Sequence, residues 1–166
     1  TVVVPPEKPR ILEPTQVVMP ANIQTMIPKS AATKTVIGVI WSGDKIDLDL
    51  LVQPSPADQE LSERSPVSLK GRHFRGSLAE GTGIQSEWVE LDPNAVEIRL
   101  TEVWINHHSG FLPTGFRAVA VVSYRGQPHS QEISFESRWG NKGRASEGRS
   151  KDRDHWAEVD CLGLLG

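Results

Sequence analysis

Residues 46–50, with the sequence IDLDL, alternate between apolar and acidic side chains with a period of two. This is the period of a β-strand, in which Ile46, Leu48 and Leu50 face one side while Asp47 and Asp49 face the other. A one-residue slip in pairing would bury both carboxylates, at a cost on the order of several kcal/mol each. The segment therefore predicts a strand whose apolar face packs between two sheets and whose acidic face points outward.

Strand-like patterns recur along the rest of the chain, and turn residues separate them. They cover residues 34–42, 46–52, 86–91, 97–106, 115–124, 130–137 and 155–161. In 97–106 the apolar phase slips by one residue, which predicts a β-bulge near Thr101 and Glu102. No segment combines a sustained helical period with caps. We therefore predict an all-β fold, an antiparallel β-sandwich over residues 34–166.

Prolines and polar residues mark the segments outside these strands. Residues 1–33 contain six prolines, which predicts an extended Pro-rich arm, partly polyproline II, or a linker rather than a helix. Residues 53–85 form a long polar connection, and residues 139–153 are rich in Gly, Ser and basic side chains. Because the second of these loops has little to bury, the sequence favours disorder there.

Composition excludes several classes of protein. A net charge of −3 argues against nucleic-acid binding, and no apolar run approaches the length of about 20 residues that a membrane span needs. The one cysteine, Cys161, rules out an internal disulfide framework and is expected in the core. Both a cytoplasmic and an exported location are compatible with these features, and the oligomeric state is not predicted.

The paired acids Asp47 and Asp49 have two interpretations. They mark the solvent-facing side of a half-exposed strand, where a basic side chain such as Arg72 or Arg75 can pair with them. Alternatively they are calcium ligands, because calcium binds six to eight oxygens and carboxylates two positions apart on a strand point the same way. Asp44, in the preceding turn, would be a third ligand.

Two longer stretches resemble a known family. A Trp at position 41, then DLDLLV followed by Pro54, and later GFRAVAVVSYRG are similar to a bacterial β-sandwich family, distantly like the calcium-binding tellurium-resistance proteins. The resemblance covers residues 36–136 and implies calcium ligands at Asp47 and Asp49. That family also carries a Gly-Asp-Asn stretch in the following loop, whereas this chain has the basic sequence KGRHFRGSLAEGTG there.

Five tryptophans form the remaining candidate site. Trp104, Trp156 and Trp41 are candidate ligand-binding residues, since an exposed indole can stack on a sugar ring or anchor a protein interface. The alternative is a second core, in which the Pro-rich arm covers the outward face of one sheet.

No catalytic constellation is apparent in the sequence. The serines lack a Gly-x-Ser-x-Gly context, and the five histidines lack the spacing of a zinc site. We therefore predict a non-catalytic binding or interaction module of a larger bacterial protein or assembly, not an enzyme. Calcium is the one cofactor considered, and the expected partner is a protein or a glycan.

Overall fold

The computed structural model describes residues 20–43, 45–76, 83–144 and 148–166. Its strands are β1 (Thr35–Ser42), β2 (Asp47–Gln53), β3 (Val67–Ser68), β4 (Gly71–Arg75), β5 (Ile84–Leu91), β6 (Glu102–Ser109), β7 (Ala118–Tyr124), β8 (Gln127–Ile133) and β9 (Trp156–Val159). The described residues also form two short α-helices, α1 (Pro20–Met26) and α2 (Cys161–Leu165), and 3-10 helices at Lys29–Ala32 and Ile98–Leu100.

The strands form two sheets, which confirms the predicted all-β antiparallel class. One sheet has six strands in the order β3-β4-β5-β1-β7-β8, and the other has three in the order β2-β6-β9. Strand β1 lies inside the larger sheet between β5 and β7, and both pairings are antiparallel. Apolar residues on both faces of β1 suit this position, because both faces are covered.

A core between the two sheets contains the apolar face of β2. Ile46, Leu48 and Leu50 are buried in it together with Trp41 from β1, as the alternation in residues 46–50 predicted. Complete burial of a leucine side chain contributes about 1.5–3 kcal/mol, so this row of residues fixes the register of β2.

A second core lies on the outer face of the six-stranded sheet. Ile23 of α1 packs there with Trp88 of β5, and Met26, Ile27 and Ala31 contribute partly buried side chains. Part of the 1–33 arm therefore covers a second core, but the tryptophan in this core is Trp88 and not one of the candidates Trp41, Trp104 and Trp156. The expectation that this arm contains no helix is wrong for Pro20–Met26, because its proline occupies the first helical position, where the missing N–H is tolerated. Residues 1–19 lie outside the described residues.

Three connections differ from the sequence prediction. Residues 53–85 include β3 and β4, which extend the larger sheet beyond β5. Ile98–Leu100 is a 3-10 helix rather than a strand, so the slip in apolar phase marks a change of element and not a bulge. The described parts of the 139–153 loop are held in place, since Arg149 binds both carboxylate oxygens of Glu60 at 2.6 and 2.9 Å.

The C-terminal segment places Cys161 in the core, as expected, but as the first residue of α2 rather than in a strand. Asp160 caps this helix by accepting a hydrogen bond from the Gly163 N–H. Among the described residues, no helix is both long enough and apolar enough to cross a bilayer.

Candidate cation-binding site

The outer face of the three-stranded sheet carries the paired acids. Asp49 on β2 lies directly opposite Asn106 on β6, and Asn106 lies opposite Trp156 on β9. His108 lies beside Asp47, with 3.6 Å between His108 Nδ1 and Asp47 Oδ2, although a register shift between Asp47 and Leu48 pairs the Asp47 backbone with Ser109. Both aspartates are only partly exposed. Asp44 lies outside the described residues, so its predicted role as a third ligand stays a prediction.

Glu87, on β5 of the six-stranded sheet, lies close to the paired acids of β2. Its side chain is fully buried, and its Oε1 accepts a hydrogen bond from the backbone N–H of Leu50 at 3.0 Å. The same oxygen lies 2.9 Å from Nε2 of His73. Its Oε2 has no hydrogen-bond partner within the described part of the chain. A buried carboxylate oxygen without a hydrogen bond is unusual and requires a partner.

Glu63 and Arg75 complete the group that we call the acid cluster, defined as Asp47, Asp49, Glu63, Glu87 and Arg75. Nη2 of Arg75 lies 3.4 Å from Glu63 Oε1, 3.6 Å from Asp47 Oδ1 and 3.7 Å from Glu87 Oε2. The predicted pairing of the aspartates with a basic side chain is therefore found for Asp47 with Arg75. It is wrong for Arg72, which faces away and pairs with Glu90 at 2.7 Å.

The acid cluster has an excess of negative charge. Four carboxyl groups and one guanidinium lie together here, so acidic side chains outnumber basic ones within the cluster. Burial, and then the charges of Asp47, Glu87 and Glu63, raise the pKa of Asp49 from 3.8 to about 7. Burial also raises the pKa of Asp47; Glu87 adds to this effect, whereas Arg75 opposes it. The cluster thus favours the uptake of a proton or a cation.

The spacing of the carboxylates suits a metal ion. One oxygen each from Asp49, Glu63 and Glu87 lie within 4.8 Å of one another, and single ligand atoms of Asp47, Asp49 and His108 are equally close. Calcium–oxygen distances are about 2.3–2.6 Å, so ligands on opposite sides of the ion are about 5 Å apart. Asp49 belongs to both sets and is the residue that joins them.

A cleft connects the acid cluster with solvent. It has a volume of about 290 Å³, and Asp49, Asn106 and Trp156 line its floor. It is also lined by Glu60, Ser62, Glu63, Arg64, Lys142, Gly143 and Arg149. An ion can therefore reach Asp49 and Glu63 from outside without unfolding of the sheet.

The expected exposure of the candidate tryptophans is wrong. Trp41, Trp104 and Trp156 are 0%, 7% and 4% exposed. Trp41 donates a hydrogen bond to the Ile46 carbonyl, and Trp156 donates one to the Arg144 carbonyl, each at 2.8 Å. Trp41 is buried in the core between the two sheets. Trp104 and Trp156 lie on the three-stranded sheet, where described residues of loop 139–153 cover the outer face: Arg149, for example, stacks over the Trp156 ring at 4.6 Å.

Sequence reasoning did not assign Glu63 and Glu87 to the site. Glu87 alternates with apolar neighbours in the pattern of an ordinary exposed strand residue. The decisive signal, that β5 lies inside a sheet covered on both faces, appears only once the strand order is known. Glu63 comes from an irregular loop, and no pattern in the sequence places it beside β2.

No family model, curated protein or solved structure matches the chain. The resemblance to the tellurium-resistance proteins therefore stays a prediction.

Proposed function

We propose that this chain is a non-catalytic β-sandwich binding module whose acid cluster binds a divalent cation, with calcium the expected ion. The observation that carries the proposal is the fully buried Glu87, whose Oε2 points into the cluster and has no hydrogen-bond partner among the described residues. A cation bound there would compensate this oxygen, because a buried carboxylate needs a counter-charge.

The chemistry of the donors favours calcium over softer metals. The set is dominated by carboxylate oxygens, contributed by Asp47, Asp49, Glu63 and Glu87, which suit hard cations. Calcium accepts an irregular arrangement of six to eight oxygens, and water in the open cleft can complete such a set. Magnesium demands near-ideal octahedral geometry, which a set drawn from two strands and a loop meets less readily.

The resemblance seen in the sequence supports the same ion. It implies calcium ligands at Asp47 and Asp49, but the loop that carries further acids in that family is basic in this chain. Glu63 and Glu87 are the carboxylates that would compensate for this difference, since one oxygen of each lies within 4.8 Å of an Asp49 oxygen. The proposed site therefore uses two acids that the family pattern does not specify.

Thermal unfolding with calcium or with a chelator tests the proposal. A ligand that binds only the native state stabilises it by about 2.7 kcal/mol at a concentration 100 times its Kd. We expect millimolar calcium to raise the Tm of the full chain by several degrees. In the double variant Asp47→Asn, Asp49→Asn this rise should disappear.

A matched pair of exposed acids provides the control. The side chains of Glu63 and Glu132 are 57% and 56% exposed, and each pairs with an arginine. Glu63→Gln should reduce the calcium-dependent rise in Tm, while Glu132→Gln, outside the cluster, should leave it intact. An unchanged Tm of the natural chain in millimolar calcium would refute the proposal.

A second candidate function, glycan binding, rests on a different pair of aromatic residues. Trp139 is 64% exposed and Phe111 is 46% exposed, and their ring centroids are 4.9 Å apart. Exposed, neighbouring aromatic rings offer a surface on which a sugar can stack. Tryptophan fluorescence on a panel of glycans tests this function, and any quenching should be lost in Trp139→Ala. A flat response across the panel would contradict it.

A further inference from the structure

The register between β4 and β5 places Arg75 in the acid cluster. Arg75 ends β4 and lies directly opposite Glu87 of β5, while Arg72, on the other face of β4, lies opposite Glu90. The two arginines are therefore alike in strand, residue type and cross-strand acid. They differ in that Arg75 meets three carboxylates at the end of the sandwich, whereas Arg72 meets one at its surface.

The distances that Arg75 makes are long for ion pairs. Its Nη2 approaches none of its three carboxylate partners closer than 3.4 Å, whereas Arg72 binds Glu90 at 2.7 Å. Charge-assisted hydrogen bonds usually measure about 2.7–2.9 Å. Arg75 thus sits between several acids without an optimal bond to any of them. Such a position supplies positive charge with little directional bonding.

The Arg75 side chain is also able to swing out of the acid cluster into solvent. It is 49% exposed, although Glu87 beneath it is fully buried. A half-exposed guanidinium regains hydration when it swings outward, so its departure costs less than that of a buried one. Glu87 is fully buried and gains no hydration in this way, so its Oε2 would lose the nearby positive charge of Arg75 unless a cation replaced it.

We propose that Arg75 is a displaceable counter-ion, which takes the place of the cation among Asp47, Glu63 and Glu87 and swings out when a divalent cation binds. This inference rests on the proposed function of the acid cluster. It implies that Arg75 weakens cation binding while it stabilises the cation-free protein. It also implies selectivity for divalent ions, because a monovalent ion that replaces one guanidinium adds no charge to the cluster.

Calorimetric titration of the full chain with calcium chloride tests the inference. Arg75→Gln keeps much of the length of the side chain and removes its charge, and Arg72→Gln is the matched control on the same strand. We expect Arg75→Gln to bind calcium about tenfold more tightly than the natural chain, equivalent to about 1.4 kcal/mol. Arg72→Gln should bind with the natural affinity.

Stability provides a second readout with a change of sign. In chelator, Arg75→Gln should unfold at a lower temperature than the natural chain, because the acids lose their counter-charge. In saturating calcium, Arg75→Gln should unfold at the same temperature as the natural chain or at a higher one. If Arg75 had only a structural role, Arg75→Gln would lower the Tm by the same amount in chelator and in calcium.

The outcomes separate the inference from the proposed function. If the natural chain binds calcium but Arg75→Gln binds it no more tightly, the inference is wrong and the proposed function stands. If only Arg75→Gln binds calcium, the inference holds, and the proposed function is wrong for the natural chain. If neither protein binds calcium, both are wrong.

Discussion

Replacement of Asp49 by asparagine should stabilise the cation-free protein in a manner that depends on pH. The pKa of Asp49 is raised from 3.8 to about 7 because of burial and the neighbouring carboxylates, so the folded state holds this proton more tightly than the unfolded state does. Between these two pH values the unfolded chain has lost the proton while the folded protein retains it. The free energy of unfolding therefore falls as pH rises from about 4 to about 7, and this contribution is constant above that range.

The size of the effect follows from the two pKa values. The difference between 3.8 and about 7 corresponds to about 4 kcal/mol at 1.36 kcal/mol per pH unit. Asp49 is partly exposed, and solvent screening reduces this to about 1–2 kcal/mol. Asparagine has a similar shape and carries no charge. Asp49→Asn should therefore gain about 1–2 kcal/mol over the natural chain at pH 8, and close to nothing near pH 4.

Urea unfolding in chelator, followed by circular dichroism at several pH values between 4 and 8, measures this difference. Other carboxyl groups titrate in both proteins, so the comparison isolates Asp49. Glu132→Gln, which removes an exposed acid outside the cluster, is the control for the loss of one carboxylate. A constant difference in unfolding free energy between Asp49→Asn and the natural chain across this range would refute the reasoning. In calcium, the same variant should become the less stable protein.

Four further substitutions test the packing. Leu50→Ala should cost about 2–5 kcal/mol in urea unfolding, because this fully buried side chain leaves a cavity between the sheets. Gly38→Ala should cost about 1–3 kcal/mol or more, since the added Cβ would lie 2.1 Å from the Trp88 ring on the adjacent strand; wild-type stability would contradict this packing. Trp156→Ala should cost about 3–5 kcal/mol whereas Trp139→Ala should cost less than about 1 kcal/mol, and equal losses would mean that the two burial assignments are wrong.

Local patterns determined the strands and the direction in which their side chains point. The alternation in residues 46–50 was sufficient to place Leu48 and Leu50 in the core and Asp47 and Asp49 outside, because the two-residue period of a strand is a local property. Proline positions were less informative. Proline interrupts a helix when it lies in the interior, but it is favoured at the first helical position, where Pro20 lies.

Short elements within loops escaped the sequence prediction for a related reason. Strands β3 and β4 span two and five residues, which is too few to establish a period. Their stability depends on pairing: β3 pairs with β4, and β4 pairs with β5 across the intervening loop. Ile98–Leu100 likewise owes its position to the core against which Ile98 packs rather than to its own propensity.

The candidate site was likewise predicted only in part from the sequence. The sequence by itself determined that two carboxylates leave β2 on one face, and it named Arg75 as a basic residue that could meet them. Only the tertiary structure decided that Glu63 and Glu87 join them, that Arg75 rather than Arg72 faces the cluster, and that the tryptophans on this sheet are covered. The side-chain period of a strand depends only on neighbouring residues, whereas strand order and loop packing depend on contacts between segments far apart in the chain. The charge excess that defines the acid cluster is a property of those contacts.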